Sequence, residues 1–149
     1  MDNLYDQHTY YTVIDRINKL SSSSQRQWGK MDIAQMLAHC KVAFGVPLSE
    51  KPMPRNFLGY LFGWAIKAKL YNDEPWKKNL PTAPQFRITD TREFEKEKQE
   101  LTGLISKFYT LGPAKTGLYP HPMFGKFTSV QWGQAMYKHL DHHLQQFGV

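Results

Sequence analysis

The chain has 149 residues, 41% of them apolar and 14% aromatic, and a formal net charge of +6. That length suits a single domain over residues 1–149 with one sizeable core, and the apolar share excludes a disordered chain. Its lysines and arginines are scattered, with no run like a nucleic-acid arm, so the charge is read as general basicity and no nucleic-acid partner is expected.

The polar, acidic start, MDNLYDQHTYY, lacks a signal-like apolar segment. Residues 4 to 20 read as a helix, with Leu4, Tyr10, Tyr11, Ile14, Ile17 and Leu20 recurring at three- and four-residue steps. Ser21 to Ser24 break the pattern. A second helix opens at Asp32, where Gln35 three residues on makes a capping-box pair. Ile33, Met36, Leu37, Cys40, Ala43 and Phe44 form its apolar face, His39 stands at the margin of that face, and Gly45 to Pro47 end it. Cys40 is the only cysteine. It excludes an internal disulfide, suits a reducing cytoplasm and reads as core.

Three prolines, Pro47, Pro52 and Pro54, lead into NFLGYLFGWAIKAKL, which is apolar nearly all round. Its core, Phe57 to Ile66, is too short to span a bilayer, so no membrane partner is expected. The segment should be buried, cover a cavity or form a subunit contact. The stretch that follows, YNDEPWKKNLPTAPQFRI, is too rich in proline for regular structure and has the length of a functional loop or lid.

The third main helix starts near Asp90, with Glu93 completing a second capping box, and runs to about Tyr109. Phe94, Leu101, Leu104, Ile105 and Phe108 make its inward stripe, Lys96 and Glu100 form an i,i+4 pair, and Gly112 and Pro113 stop it. A loop carrying His121 between two prolines, read as a turn, delivers the chain to Thr128. Thr128 and Gln131 open the fourth helix with a third capping box. Four amphipathic helices and no strand pattern point to an all-α bundle.

The chemistry concentrates in that last helix, TSVQWGQAMYKHLDHHLQQF, which holds three of the six histidines. Trp132, Met136, His139, His143 and Gln146 fall on one stripe, so His139 and His143 face the interior together. His142 lies about 100° round from His143, and Asp141 points away. Two imidazoles four apart supply two metal ligands from one rigid element, and His39 is the third histidine on a patterned helix. Three such ligands leave open positions for water and substrate. Gln146 and Gln35 are candidate partners for the ligand rings. The plain alternative is a histidine-rich core in which the rings bond carbonyls or hydroxyls.

The residues around His39, MLAHC, and the segment KHLDHHLQQF resemble the DinB/YfiT-like superfamily of helical-bundle metalloenzymes, whose helical HxxxH is followed shortly by Gln. QWGKMDIAQMLAHC, NLPTAP and HPMFGKFTSVQWGQAMYKHLDHHLQQFG resemble, more narrowly, an uncharacterised branch of it. The resemblance implies a four-helix up-down-down-up bundle in which His39, His139 and His143 hold a divalent ion, zinc or nickel. It implies a thiol-dependent transferase joining a low-molecular-weight thiol to a small electrophile, with metal-assisted hydrolysis as the second choice. Leu144-Gln145 stands where the superfamily often has Arg-Gly. The loops carrying Trp76 and His121 would cover the substrate, and Lys77, Lys78 and Lys126 are candidate attractants for an anionic thiol. The rival reading is a non-catalytic metal-binding or interaction protein, a homodimer formed through Phe57–Leu70.

Overall fold

The computed structural model describes residues 1–55 and 57–149; Asn56 and the side chains of Leu58, Tyr60 and Phe62 lie outside the described residues. Among the described residues five α-helices form the fold: α1 (Gln7–Asn18), α2 (Ile33–Phe44), α3 (Phe57–Lys67), α4 (Phe94–Leu111) and α5 (Ser129–Gln146). Short 3-10 turns occupy Ala68–Leu70 and Pro84–Phe86. Among the described residues there is no strand beyond one isolated bridge, His121 to Gly125, so the chain is all-helical. The apolar segment after the prolines supplies the helix beyond the four expected.

Two of the three expected capping boxes are present. Gln35 N–H donates to the Asp32 carboxylate at 2.8 Å and Asp32 N–H to the Gln35 amide oxygen at 3.0 Å. Thr128 and Gln131 exchange the same two bonds at 3.2 and 3.0 Å. Each satisfies backbone donors that a helix start leaves without intrahelical partners.

The box expected at Asp90 does not form. Glu93 is itself the cap of α4, its carboxylate accepting from the Glu95 and Lys96 N–H groups at 3.0 and 2.7 Å, and the helix begins at Phe94. Asp90 instead pairs with Arg92 at 3.0 Å. Glu100 takes Lys41 of α2 as its ion-pair partner rather than Lys96. The same lysine reaches Glu97, a carboxylate buried on the inward stripe of α4 that the apolar spacing did not reveal.

Leu37 and Phe44 of α2, Leu101, Ile105 and Phe108 of α4, and Leu140 and Leu144 of α5 are almost wholly buried. Each contributes about 1.5–3 kcal/mol on leaving water. In α1 the inward residues are Thr9, Val13 and Ile17, and Tyr11 stands in solvent; Leu4 and Leu20 are buried beyond the helix ends. α2 packs on α4 and α5, which brings the His39 face of α2 against the histidines of α5. Cys40 is fully buried, with its thiol against Met36 Sδ at 3.7 Å and its pKa pushed up by burial, as a core residue should be.

The face of α3 built from Phe57, Leu61 and Trp64 is exposed. Its opposite face is glycine: a Cβ on Gly59 or Gly63 would meet the Met123 backbone at 2.4 and 2.1 Å. Only glycine lets α3 lie this close to the His121–Gly125 turn. No helix among the described residues is long and apolar enough to cross a membrane.

Candidate metal centre

The period of α5 puts Trp132, Met136, His143 and Gln146 in the interior, with His139 between them and partly buried. His39 meets them from α2. One ring nitrogen from each of His39, His139 and His143 lies within 4.8 Å of the other two, and the His39 and His139 Nε2 atoms are 2.9 Å apart. Ligands about 2.0–2.1 Å from one tetrahedral ion stand ~3.4 Å from each other, inside that range.

The outer nitrogens decide which lone pairs face the centre. His39 Nδ1 lies 2.8 Å from the Phe86 carbonyl, an acceptor only, so Nδ1 carries the hydrogen and Nε2 is bare. Gln146 Nε2 donates to the Trp28 carbonyl at 2.8 Å, which turns its amide oxygen to His143 Nδ1, also at 2.8 Å. His143 Nδ1 therefore carries a hydrogen too, and its Nε2 is bare. His139 has no such anchor: its Nδ1 is buried without a hydrogen-bond partner among the described residues. The donor set, the tautomers of His39 and His143 and the spacing fit a divalent transition-metal ion, for which hydrogen-bonded outer nitrogens are the usual support. Without an ion, the 2.9 Å contact makes His139 Nε2–H the donor to the bare His39 Nε2, a hydrogen that a bound ion would displace. Of the two glutamines expected beside the histidine rings, Gln146 does bond one of them, His143. Gln35 does not do so: its amide is spent on Asp32 and on the Asp90 carbonyl at 3.2 Å.

Burial holds the three rings neutral. It lowers His143 to about 3, helped by the nearby His39, and lowers His139 well below the ordinary range, with His143 and His39 adding to the effect. His39 is also lowered by burial, against the opposing pull of the Phe86 carbonyl. Neutral imidazole is the ligating form.

Residues 5–148 match the family described as a protein of unknown function, DUF1569. The chain belongs to that family. No curated protein matches it, and no solved structure does.

In this DUF1569 chain a cavity of about 540 Å³ opens beside the three histidines. Trp76, Phe86, Phe124, Phe127 and Trp132 make much of its wall. The Trp76 ring stands 5.9 Å from His139 and 5.6 Å from His142, centre to centre. His142 lies outside the trio, between Trp76 and Trp28, as its phase on α5 predicts. His121 sits in a closed turn and also lines the cavity. His8 is exposed.

Of the three lysines singled out, Lys77 lines this cavity, Lys78 lies over the Trp28 ring at 4.5 Å, and Lys126 is exposed. Sequence reasoning missed Lys138, which is buried and donates to the Lys69 carbonyl at 2.7 Å and to the Asn72 carbonyl at 2.8 Å. It ties the loop after α3 to α5. The Phe86 and Trp28 carbonyls were also missed, since backbone acceptors leave no mark in residue type.

A second cavity, about 480 Å³, lies beyond Leu80, Pro81 and Thr82, which line both. His142 and His143 border the two cavities, so the histidine cluster is reached from both sides.

Proposed function

We propose that the chain is a metal-dependent enzyme of the DinB/YfiT-like type, its α1, α2, α4 and α5 forming an up-down-down-up bundle with α3 added to it. His39, His139 and His143 would hold a divalent ion, zinc or nickel. The observation that carries the reading is the pair of bare Nε2 atoms on His39 and His143, each fixed by a hydrogen bond on the far side of its ring, converging with His139. A core packed for stability alone has little use for three mutually facing neutral imidazoles.

A bound ion would supply Lewis acidity, favouring the thiolate form of a small thiol near neutral pH or activating water. The protein's part is to keep the rings unprotonated, to hold two of them in one tautomer and to offer an aromatic cavity next to them. That cavity supports transfer of a low-molecular-weight thiol to a small electrophile as the first choice, with hydrolysis second. The buried thiol of Cys40 suits the cytoplasm and leaves it without a nucleophilic role.

Elemental analysis of purified protein beside a His139→Ala/His143→Ala variant tests the site. One equivalent of metal in the parent and none in the variant is expected, and equal metal in both would remove the assignment. Metal-dependent loss of a thiol in the presence of an electrophile panel tests the reaction.

The exposed Phe57, Leu61 and Trp64 of α3 favour a second reading, a homodimer joined through that face. Light scattering at high concentration discriminates, a strict monomer removing it.

A further inference from the structure

His121 is bound to its own turn in a way that leaves it one chemical option. The Met123 and Phe124 N–H groups both point at its Nδ1, at 3.0 and 3.3 Å. A nitrogen that accepts from two donors carries no hydrogen, so the neutral ring must carry it on Nε2. The turn is closed by paired bonds between the His121 and Gly125 backbones at 2.9 and 3.0 Å. From outside, α3 presses on it through Gly59 and Gly63, whose missing side chains admit the Met123 backbone. The Phe124 ring lies tilted beside it at 4.6 Å, and Phe127 and Trp132 approach it at 6.0 and 5.9 Å, centre to centre. Orientation and tautomer are therefore both set.

The Nε2–H so produced has no partner among the described residues and is not sealed from solvent, while His121 lines the 540 Å³ cavity. Other charges there are spent or peripheral. Lys69, Glu74 and Lys77 line it and are exposed, and Lys138, behind the wall, is held by the Lys69 and Asn72 carbonyls. A cavity with aromatic walls and a fixed donor selects a particular kind of molecule. Apolar surface supplies the affinity, and the donor rewards an acceptor atom at one place while leaving a cost if nothing meets it.

We propose that His121 is an orienting hydrogen-bond donor, and that the cavity takes a neutral aromatic molecule carrying an acceptor oxygen, which Nε2–H holds. This rests on the reading of the cavity as the substrate chamber and names the class of the electrophilic substrate. It also takes His121 out of the metal-ligand set, because its Nδ1 is engaged and its Nε2 protonated. Burial lowers its pKa to about 4, which keeps that tautomer neutral at physiological pH.

The test compares acetophenone with ethylbenzene, nearly equal in shape and differing in the carbonyl. Binding is read by calorimetry on EDTA-treated protein, so that failure of metal binding leaves the outcome unaffected. Acetophenone is expected to bind about two- to tenfold more tightly, the value of one neutral hydrogen bond. In His121→Asn the amide oxygen can still accept from the Met123 and Phe124 N–H groups, but nothing replaces Nε2–H. The variant should lose the preference and keep its affinity for ethylbenzene. Nitrogen-15 spectra of histidine-labelled parent protein supply a reading that needs no variant, with acetophenone moving the His121 Nε2–H resonance and ethylbenzene leaving it. Equal affinities in the parent, no binding of either compound, a preference retained in His121→Asn, or an unmoved resonance would each overturn the proposal.

Discussion

Gln146 Oε1 stands 2.8 Å from His143 Nδ1, three residues away on the same helix, and this contact fixes which nitrogen of the ring is free. The amide can point only one way because its other end donates to the Trp28 carbonyl.

Replacing Gln146 with Leu keeps the volume and removes both bonds. Metal affinity, measured by competition with a chromophoric chelator, should fall about 10- to 100-fold, the usual effect of losing a hydrogen-bonded support. The metal-free variant should also lose about 1–3 kcal/mol in a urea melt, because the buried His143 N–H and Trp28 carbonyl are left unpaired.

Gly29 tests the same contact from the other side. Its φ is +83°, and a Cβ there would meet Gln146 Nε2 at 2.4 Å. Gly29→Ala therefore combines an unfavourable left-handed backbone with a displaced amide, and should cost on the order of 1–2 kcal/mol. Its effect on metal affinity should run parallel to that of Gln146→Leu, and the double variant should be less than additive.

Gly63→Ala places a methyl 2.1 Å from the Met123 carbonyl oxygen, an obstacle that cannot rotate aside. Thermal melting should show a loss of about 1–3 kcal/mol from the forced displacement, set against a helix-propensity gain of up to ~1 kcal/mol. The His121 resonances should shift in the same variant, since the turn that holds its Nδ1 must move.

Stability should fall in acid. His121 has a folded pKa of about 4 against an ordinary 6.5. Between those values the unfolded chain binds more protons, so the contribution is whole above pH 6.5 and is lost as the pH drops toward 4. At pH 5 this one group accounts for on the order of 2 kcal/mol. Urea midpoints between pH 7 and pH 5 measure the slope, and His121→Asn should flatten it.

The register of α5 was legible in the sequence because a helix leaves a period: Trp132, Met136, His143 and Gln146 are buried together, with His139 among them. The starts of α2 and α5 were legible through Asp32–Gln35 and Thr128–Gln131, where both partners of each bond are visible side chains. Asp90–Glu93 has the same spacing and failed, since a carboxylate at position 93 can cap the following turn by itself. Tyr11 and Val13 exchanged places because both suit an apolar stripe two residues apart, and only packing chooses between them. His39 could be selected as a candidate from its helix, but its tautomer could not, since that depends on a carbonyl 47 residues away in a proline-rich loop.

That carbonyl makes the loop a participant in occupancy. Phe86 lies in the short turn Pro84–Phe86, and through it the 71–93 stretch grips the His39 ring. By thermodynamic reciprocity, whatever tightens the hold of the loop on His39 tightens an ion held by that ring, and the ion returns the same free energy to the loop. Cleavage of residues 71–93 by a protease should therefore slow as metal is added, making the loop an external gauge of the proposed site.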